Sequence, residues 1–532
     1  MTVLNILLIL LFSIILRSDA KLESKVGEDP GFELYCGQSN VEEYENHPIQ
    51  FENVLPNWIK GSLVSCDLRQ LNVFVLKIRN GPGRFEVGTR KMGNLFDGFA
   101  KLAKWTFPGN GSAYFSTKFL RSSFFNDSMA INDIAPYMTM SPVTPPFTVE
   151  QTLQSLQHGM DNPNVNIYNF TLDSVALNDM WILYTFDPKS LTLQQKVNAE
   201  LPDAKLGFPF TSPISSAHPL PEPNTNNHLT FVGSLALIPR LKHKLSLIRV
   251  KSSNEREMIA QWSVDNMSYM HSFSVTEKYA LFLASPYYYE VKEMLTHLDV
   301  AKSMKWFPDQ PSLIYVVELY TGRVHTFKTE AMFSMHHINA FDIDQDHIAM
   351  DVVAFKEAGV FSSVSLNVLR NQTLRNAVTL KSQVKRYVLN FKDNTVDIVT
   401  FPDSQKIPFA SRIGVPTINE NYRSKKYCFA YGLVMKMDGV NYANMSVAKK
   451  DLCGNSTDKA WFLKNHYLTE AWFVPNPEGT EEDDGYLMLP ALDGDNRKSF
   501  LAILDAKTMN LINKADLPTT VPFNFHGRLF DV

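Results

Sequence analysis

Short apolar runs rich in Val, Ile, Phe, Tyr and Leu recur along the chain from about residue 50 onward, broken by Asn, Asp, Gly and Pro. The stretches SAYFSTKFL (112–120), MWILYTFDP (180–188), HLTFVGSLALI (228–238), SLIYVVELY (312–320) and SFLAILDAK (499–507) have the length and the β-branched or aromatic content of strands. Many short strands joined by turns predict an all-β barrel, sandwich or propeller. YTFDPKSLTLQQKV (184–197) and LAILDAKTMNLINKADL (501–517) resemble each other as strand, Asp-centred turn and strand. That is the hairpin of a propeller blade, with Asp in the turn because its side chain bonds the local backbone. The repeat is too faint to count blades.

Helices are expected at 96–104 (FDGFAKLAK), 149–158 (VEQTLQSLQH) and 290–303 (EVKEMLTHLDVAKS), and a long Pro-rich loop at 201–225. No linker separates two compositions, so residues 21–532 are expected to form one domain. The first twenty residues, MTVLNILLILLFSIILRSDA, read as a signal peptide, or as an uncleaved membrane anchor because a basic leading region is missing. Sequons at Asn110, Asn126, Asn169, Asn266, Asn371, Asn444 and Asn455 suit a glycoprotein of the secretory pathway, secreted, lumenal or membrane-associated. Cys428 and Cys453 could pair, although buried free thiols are the default for the four cysteines. A formal charge of -4, with 51 basic against 55 acidic residues and no basic run, argues against nucleic acid as a partner.

The usual local motifs are missing: no HExxH, no Walker loop, no GxSxG elbow and no zinc-type cysteine pairs. Of thirteen histidines, four sit at or beside apolar strand-like segments with small or turn residues after them. They are in Ala217-His218-Pro219, Tyr269-Met270-His271-Ser272-Phe273, Met335-His336-His337-Ile338-Asn339 and Asn524-Phe525-His526-Gly527. Taken alone, the His336-His337 pair reads as a polar end to a buried strand.

Together and in this order, the four segments resemble the iron-ligand motifs of the animal branch of the carotenoid cleavage oxygenases. RNGPGRFEVG (79–88), NLFDGFAKLAKWTF (94–107), TKFLRS (117–122), EEDDGYL (481–487) and FNFHGRLF (523–530) stand in family register. The resemblance implies a seven-bladed β-propeller with a dome of helices and loops over one face. It implies Fe(II) held by His218, His271, His336 and His526, with no catalytic side chain beyond these ligands. It also implies second-shell carboxylates, which orient metal-bound imidazoles through their other nitrogen. Glu470 falls where the partner of His526 belongs. Asp179, one methylene shorter than the family's glutamate, falls where the partner of His271 belongs, within reach through a water or a small backbone shift. Gly414 stands where His336 should find its carboxylate, and Glu420 lies on the wrong side of that motif.

Other departures are Leu220 where animal members have His-Pro-His, and the absence from 134–147 of the cysteine stretch tied to membrane attachment. Residues 64–77, VSCDLRQLNVFVLK, read as an insertion or a retained intron, since Val-Ser is encoded by a common splice-donor sequence. The activity implied is Fe(II)-dependent insertion of dioxygen across a conjugated double bond of a carotenoid or apocarotenoid, giving aldehydes or ketones in retinoid metabolism. The alternatives are a retinyl-ester isomerohydrolase and a non-catalytic carotenoid-binding relative. The expected partners are an apolar polyene, dioxygen and a membrane surface touched peripherally. Tunnel aromatics or a membrane-touching patch are expected in SPYYYEVKEMLTH (285–297).

Overall fold

A computed structural model of the chain describes residues 29–36, 40–55, 59, 75–108, 111–170, 173–198, 200, 209–210, 214–297 and 299–531. The leading apolar block and residues 64–74 of the expected insertion lie outside the described residues. Seven antiparallel sheets of four or five strands follow one another in chain order, the blades of a β-propeller. Blade 5 shows the pattern: its strands Phe333–Asp342, His347–Phe355, Ser382–Asn390 and Thr395–Thr400 run outward from the axis in sequence order. Blade 1 closes the ring. Its strand Val75–Arg84 is covered by the C-terminal strand His526–Asp531, with Asn80 opposite His526 and Val75 opposite Asp531. Val75, Leu76 and Lys77, the last residues of the expected insertion, are therefore strand residues.

The hairpin turns form as the sequence predicts. Asp187 accepts hydrogen bonds from the backbone N–H groups of Lys189 and Ser190, and Asp505 from that of Thr508. Each hairpin buries its apolar residues between neighbouring blades, Phe186 against blade 1 and Leu501 and Ile503 beneath Trp105 and Phe115. Full burial of such a side chain contributes about 1.5–3 kcal/mol.

The helix expected at 96–104 is a strand, Phe99–Phe107, preceded by one 3-10 turn, Leu95–Asp97. Lys101 and Lys104 give FAKLAK a helical polar spacing, but both lysines are buried. Lys101 Nζ donates to the carbonyls of Asn40 and Glu42, and Lys104 Nζ to that of Lys189. With the charges satisfied by neighbouring loops, the segment fills the slot between two strands of blade 1. The helix at Val149–His158 has the expected bounds, started by a capping box of Thr148 and Gln151. The third is broken into Val291–His297 and Val300–Ser303, the second piece restarting at the side chain of Asp299. The loop expected at 201–225 carries two inner strands of blade 3, Ile214–Ser215 and Leu220–Pro221.

The helices converge over one face. Phe124, Leu156, Met294, Val300 and Phe361 come from helices inserted at different points of the chain and line one cavity. Cys428 and Cys453 form a disulfide, which corrects the free-thiol expectation, and Cys36 is free and buried. Closing a loop of 25 residues is worth about 3 kcal/mol through the unfolded chain. Among the described residues no helix is long and apolar enough to cross a membrane.

Candidate metal centre

The inner strands of a propeller converge at its axis, so side chains at their ends can meet from distant parts of the sequence. His336 lies in Phe333–Asp342 and His526 opens His526–Asp531. His271 precedes Ser274–Val275, and His218 precedes Leu220–Pro221. One ligand atom from each of the four lies within 4.8 Å of the others. The Nε2 atoms of His218 and His271 are 2.9 Å apart, and those of His336 and His526 3.4 Å. An irregular register around His337 separates the adjacent pair: His336 faces the cluster, while His337 Nδ1 is 2.8 Å from Ser274 Oγ.

The second nitrogens show why these imidazoles suit a metal. His526 Nδ1 lies 2.9 Å from Glu470 Oε1, and Glu470 is anchored in turn by the Gly527 N–H at 3.1 Å and by Arg79 at 3.6 Å. Burial opposes ionisation of Glu470, but His526 and Arg79 outweigh it and hold the carboxyl below the usual range. His271 Nδ1 lies 2.7 Å from Asp179 Oδ2, a direct contact that needs no bridging water. Asp179 is fixed there by the backbone: the N–H of Ser215 bonds its carbonyl and that of Ala217 its carboxylate. His271 and His526, each with Nδ1 on a carboxylate, turn their Nε2 atoms into the cluster as donors for a cation. Burial, followed by the neighbouring histidines, pushes His218 and His336 well below the ordinary imidazole value, and burial lowers His526. Four neutral nitrogen donors fit a divalent transition metal.

His336 differs. Among the described residues nothing hydrogen-bonds its Nδ1, and Glu420 is instead engaged by Arg423 at 2.7 Å and Arg528 at 3.8 Å. At Gly414 a Cβ would meet only the Leu433 carbonyl, at 3.8 Å, so the position is open.

Apolar space adjoins the cluster on the dome side. A cavity of about 130 Å³ touches His271, His336 and His526 and is walled by Phe96, Phe523 and Phe525. It adjoins a cavity of about 260 Å³ walled by Phe96, Tyr269, Tyr289, Met294 and Phe361. On the other side of the histidines is a polar pocket of about 50 Å³ with Glu420, Arg423 and Arg528. Of the aromatics expected from 285–297, Tyr289 lines the large cavity, while Tyr287 and Tyr288 are buried.

Residues 38–531 match the sequence model of the family described as retinal pigment epithelial membrane protein. The chain belongs to this family. Among curated relatives it is 26% identical to the chicken beta,beta-carotene 15,15'-dioxygenase, over 91% of this chain and 96% of that protein. It is 25% identical to the carotenoid isomerooxygenase of Galleria mellonella, over 92% and 94%. Among solved structures, a point variant of the Synechocystis apocarotenoid oxygenase superposes with a TM-score of 0.75 at 21% identity, covering 93% of this chain and 97% of that one. The cobalt-substituted form of the same enzyme gives 0.75 at 21%, covering 94% and 98%.

The family likeness read from the sequence is thus met, and so is the seven-bladed propeller. Two contributors to the site escaped the sequence reading. Arg79 anchors Glu470 from within RNGPG. Tyr269, two residues before a ligand, places its hydroxyl 3.1 Å from Asp179 and forms part of the cavity wall. Period-two alternation on 269–271 is the signal that could have put Tyr269 beside His271.

Proposed function

We propose that the protein is an Fe(II)-dependent oxygenase that cleaves a conjugated double bond of a carotenoid or apocarotenoid to carbonyl products. The observation that carries this reading is the position of four clustered imidazoles beside the apolar cavities. His218, His271, His336 and His526 would hold the iron. When bound, the iron supplies the place where dioxygen is taken up and activated. Glu470 and Asp179 keep His526 and His271 aimed and hold their Nδ1 protons. Phe96, Phe361 and Tyr269 hold a polyene by contact over its faces, and the scarcity of polar wall atoms keeps water away. No side chain beyond these ligands is assigned a chemical step, which would fall to dioxygen.

The substrate reaches this site from a lipid surface. On the helix Val149–His158, Val149 is 81% and Leu153 58% exposed, while Leu156 of the same helix lines the large cavity. An apolar stripe of this kind, at the rim of an apolar cavity, suits peripheral membrane contact. Exposed sequon asparagines at Asn126, Asn169, Asn266, Asn371 and Asn455, together with the disulfide, support a secretory-pathway location. A mass unchanged by N-glycosidase, for protein made in its own secretory pathway, would reject that location.

The deciding experiment incubates iron-loaded protein with β-carotene, with shorter apocarotenoids and, separately, with a retinyl ester under isotope-labelled dioxygen, with products read by mass spectrometry. Labelled aldehydes or ketones are expected. Isomerised retinoid without label would establish the isomerohydrolase reading. Sub-stoichiometric iron with no turnover would establish the carotenoid-binding one, toward which the bare His336 Nδ1 points.

A further inference from the structure

A third cavity, of about 190 Å³, extends from His336 and Gly414 toward the protein surface. It adjoins the cavity over the histidines, with Met335, His336, Val415 and Tyr442 lining both. Its inner wall is apolar, formed by residues such as Val353, Phe355 and Leu433. Its outer part is cationic, with Lys381, Arg412 and Lys436. Among the described residues none of these three is paired with a carboxylate. Arg412 donates to the Met437 carbonyl at 3.5 Å and Lys436 to those of Arg375 and Val378, while Lys381 is exposed and without a partner. Burial brings Lys436 down to about 8, although the more distant carboxylates of Asp29 and Asp438 act against the fall. Glycine at 414 is what keeps the passage open, since a side chain there would extend into it.

The space on the far side of the cluster contrasts with this one. The large cavity carries Asp97 and Asp179 and no lysine or arginine. The three cavities therefore form a run past the histidines that is cationic at one end only. Resting on the oxygenase reading above, we infer that the substrate is an apocarotenoid acid, whose terminal carboxylate is held by Lys381, Arg412 and Lys436 while its polyene passes Gly414 to the histidine cluster. Holding one end of the chain at the mouth determines which double bond lies over the histidines, so the two halves released are unequal.

The test measures binding to metal-free protein by quenching of tryptophan fluorescence, with retinoic acid, its methyl ester and palmitate as probes. The wild type is expected to bind retinoic acid about tenfold more tightly than the ester, the size of a charge-assisted contact. Lys381→Met, an exposed change that disturbs no partner, is expected to remove most of that preference and to leave ester binding unchanged, which also reports an intact fold. Equal affinity for acid and ester, or a preference indifferent to Lys381, overturns the inference. Palmitate binding as tightly as retinoic acid also overturns it, in favour of a fatty-acid site. The outcome is separable from that of the oxygenase reading: labelled cleavage of neutral carotenes without acid preference would sink only this inference. Acid preference without oxygen incorporation would sink only the oxygenase.

Discussion

His526→Ala protein is expected to be purified folded but nearly free of iron, with carotenoid cleavage reduced by at least about 100-fold, beyond what loss of an outer-shell partner costs. The substitution removes one of four nitrogen donors and leaves the hydrogen-bonded Glu470 facing an empty place. Glu470 would still be held by the Gly527 N–H and Arg79, so the buried carboxylate does not become an orphan and the propeller survives. Circular dichroism would register an intact fold, and elemental analysis the lost metal. Iron at one equivalent in this variant would remove His526 from the ligand set, and with it the reading of the cluster as the catalytic centre.

Gly414→Glu should raise iron affinity, by roughly the 10- to 100-fold that an outer-shell carboxylate is worth. Two observations make the substitution feasible. The nearest atom to a Cβ at this position is the Leu433 carbonyl, at 3.8 Å, and the cavity beyond is bordered by His336 itself. The local backbone is already irregular: the register shifts between Gly414 and Thr417, and Val415 is held at φ 47°, a left-handed conformation that costs a β-branched residue. Competition against a graded series of chelators would measure the change, with Gly414→Gln as the neutral control. An affinity equal to that of the wild type would show that a carboxylate at 414 does not reach His336 Nδ1, and that the register assigned to 413–419 is wrong. A filled cavity should also exclude retinoic acid from the cationic mouth, which couples metal retention to the passage that glycine leaves open.

The strands and turns were legible because a blade is built from local rules. Apolar runs of five to nine residues and an Asp at the hairpin need no knowledge of the rest of the chain. The four ligand histidines were legible because each sits in a recognisable segment, and the family likeness supplied their association. Local rules failed at FAKLAK. Its lysines mimic a helical face, and only the carbonyls of Asn40, Glu42 and Lys189, brought from elsewhere, let a strand bury them.

What the sequence by itself determined was the class of fold, the segments that bear ligands and the missing carboxylate at Gly414. Only the tertiary structure decided that Asp179 touches His271 directly, because backbone bonds from Ser215 and Ala217 fix it there. It likewise decided that Cys428 and Cys453 lie 5.1 Å apart between their Cα atoms and are bonded. Most of all, it decided what the loss of a side chain at 414 means. A residue type is a local fact, but the space beside it belongs to the walls: Leu433, Met335 and Tyr442 line the cavity that Gly414 borders, and Lys381, Arg412 and Lys436 line the outer part of the opening.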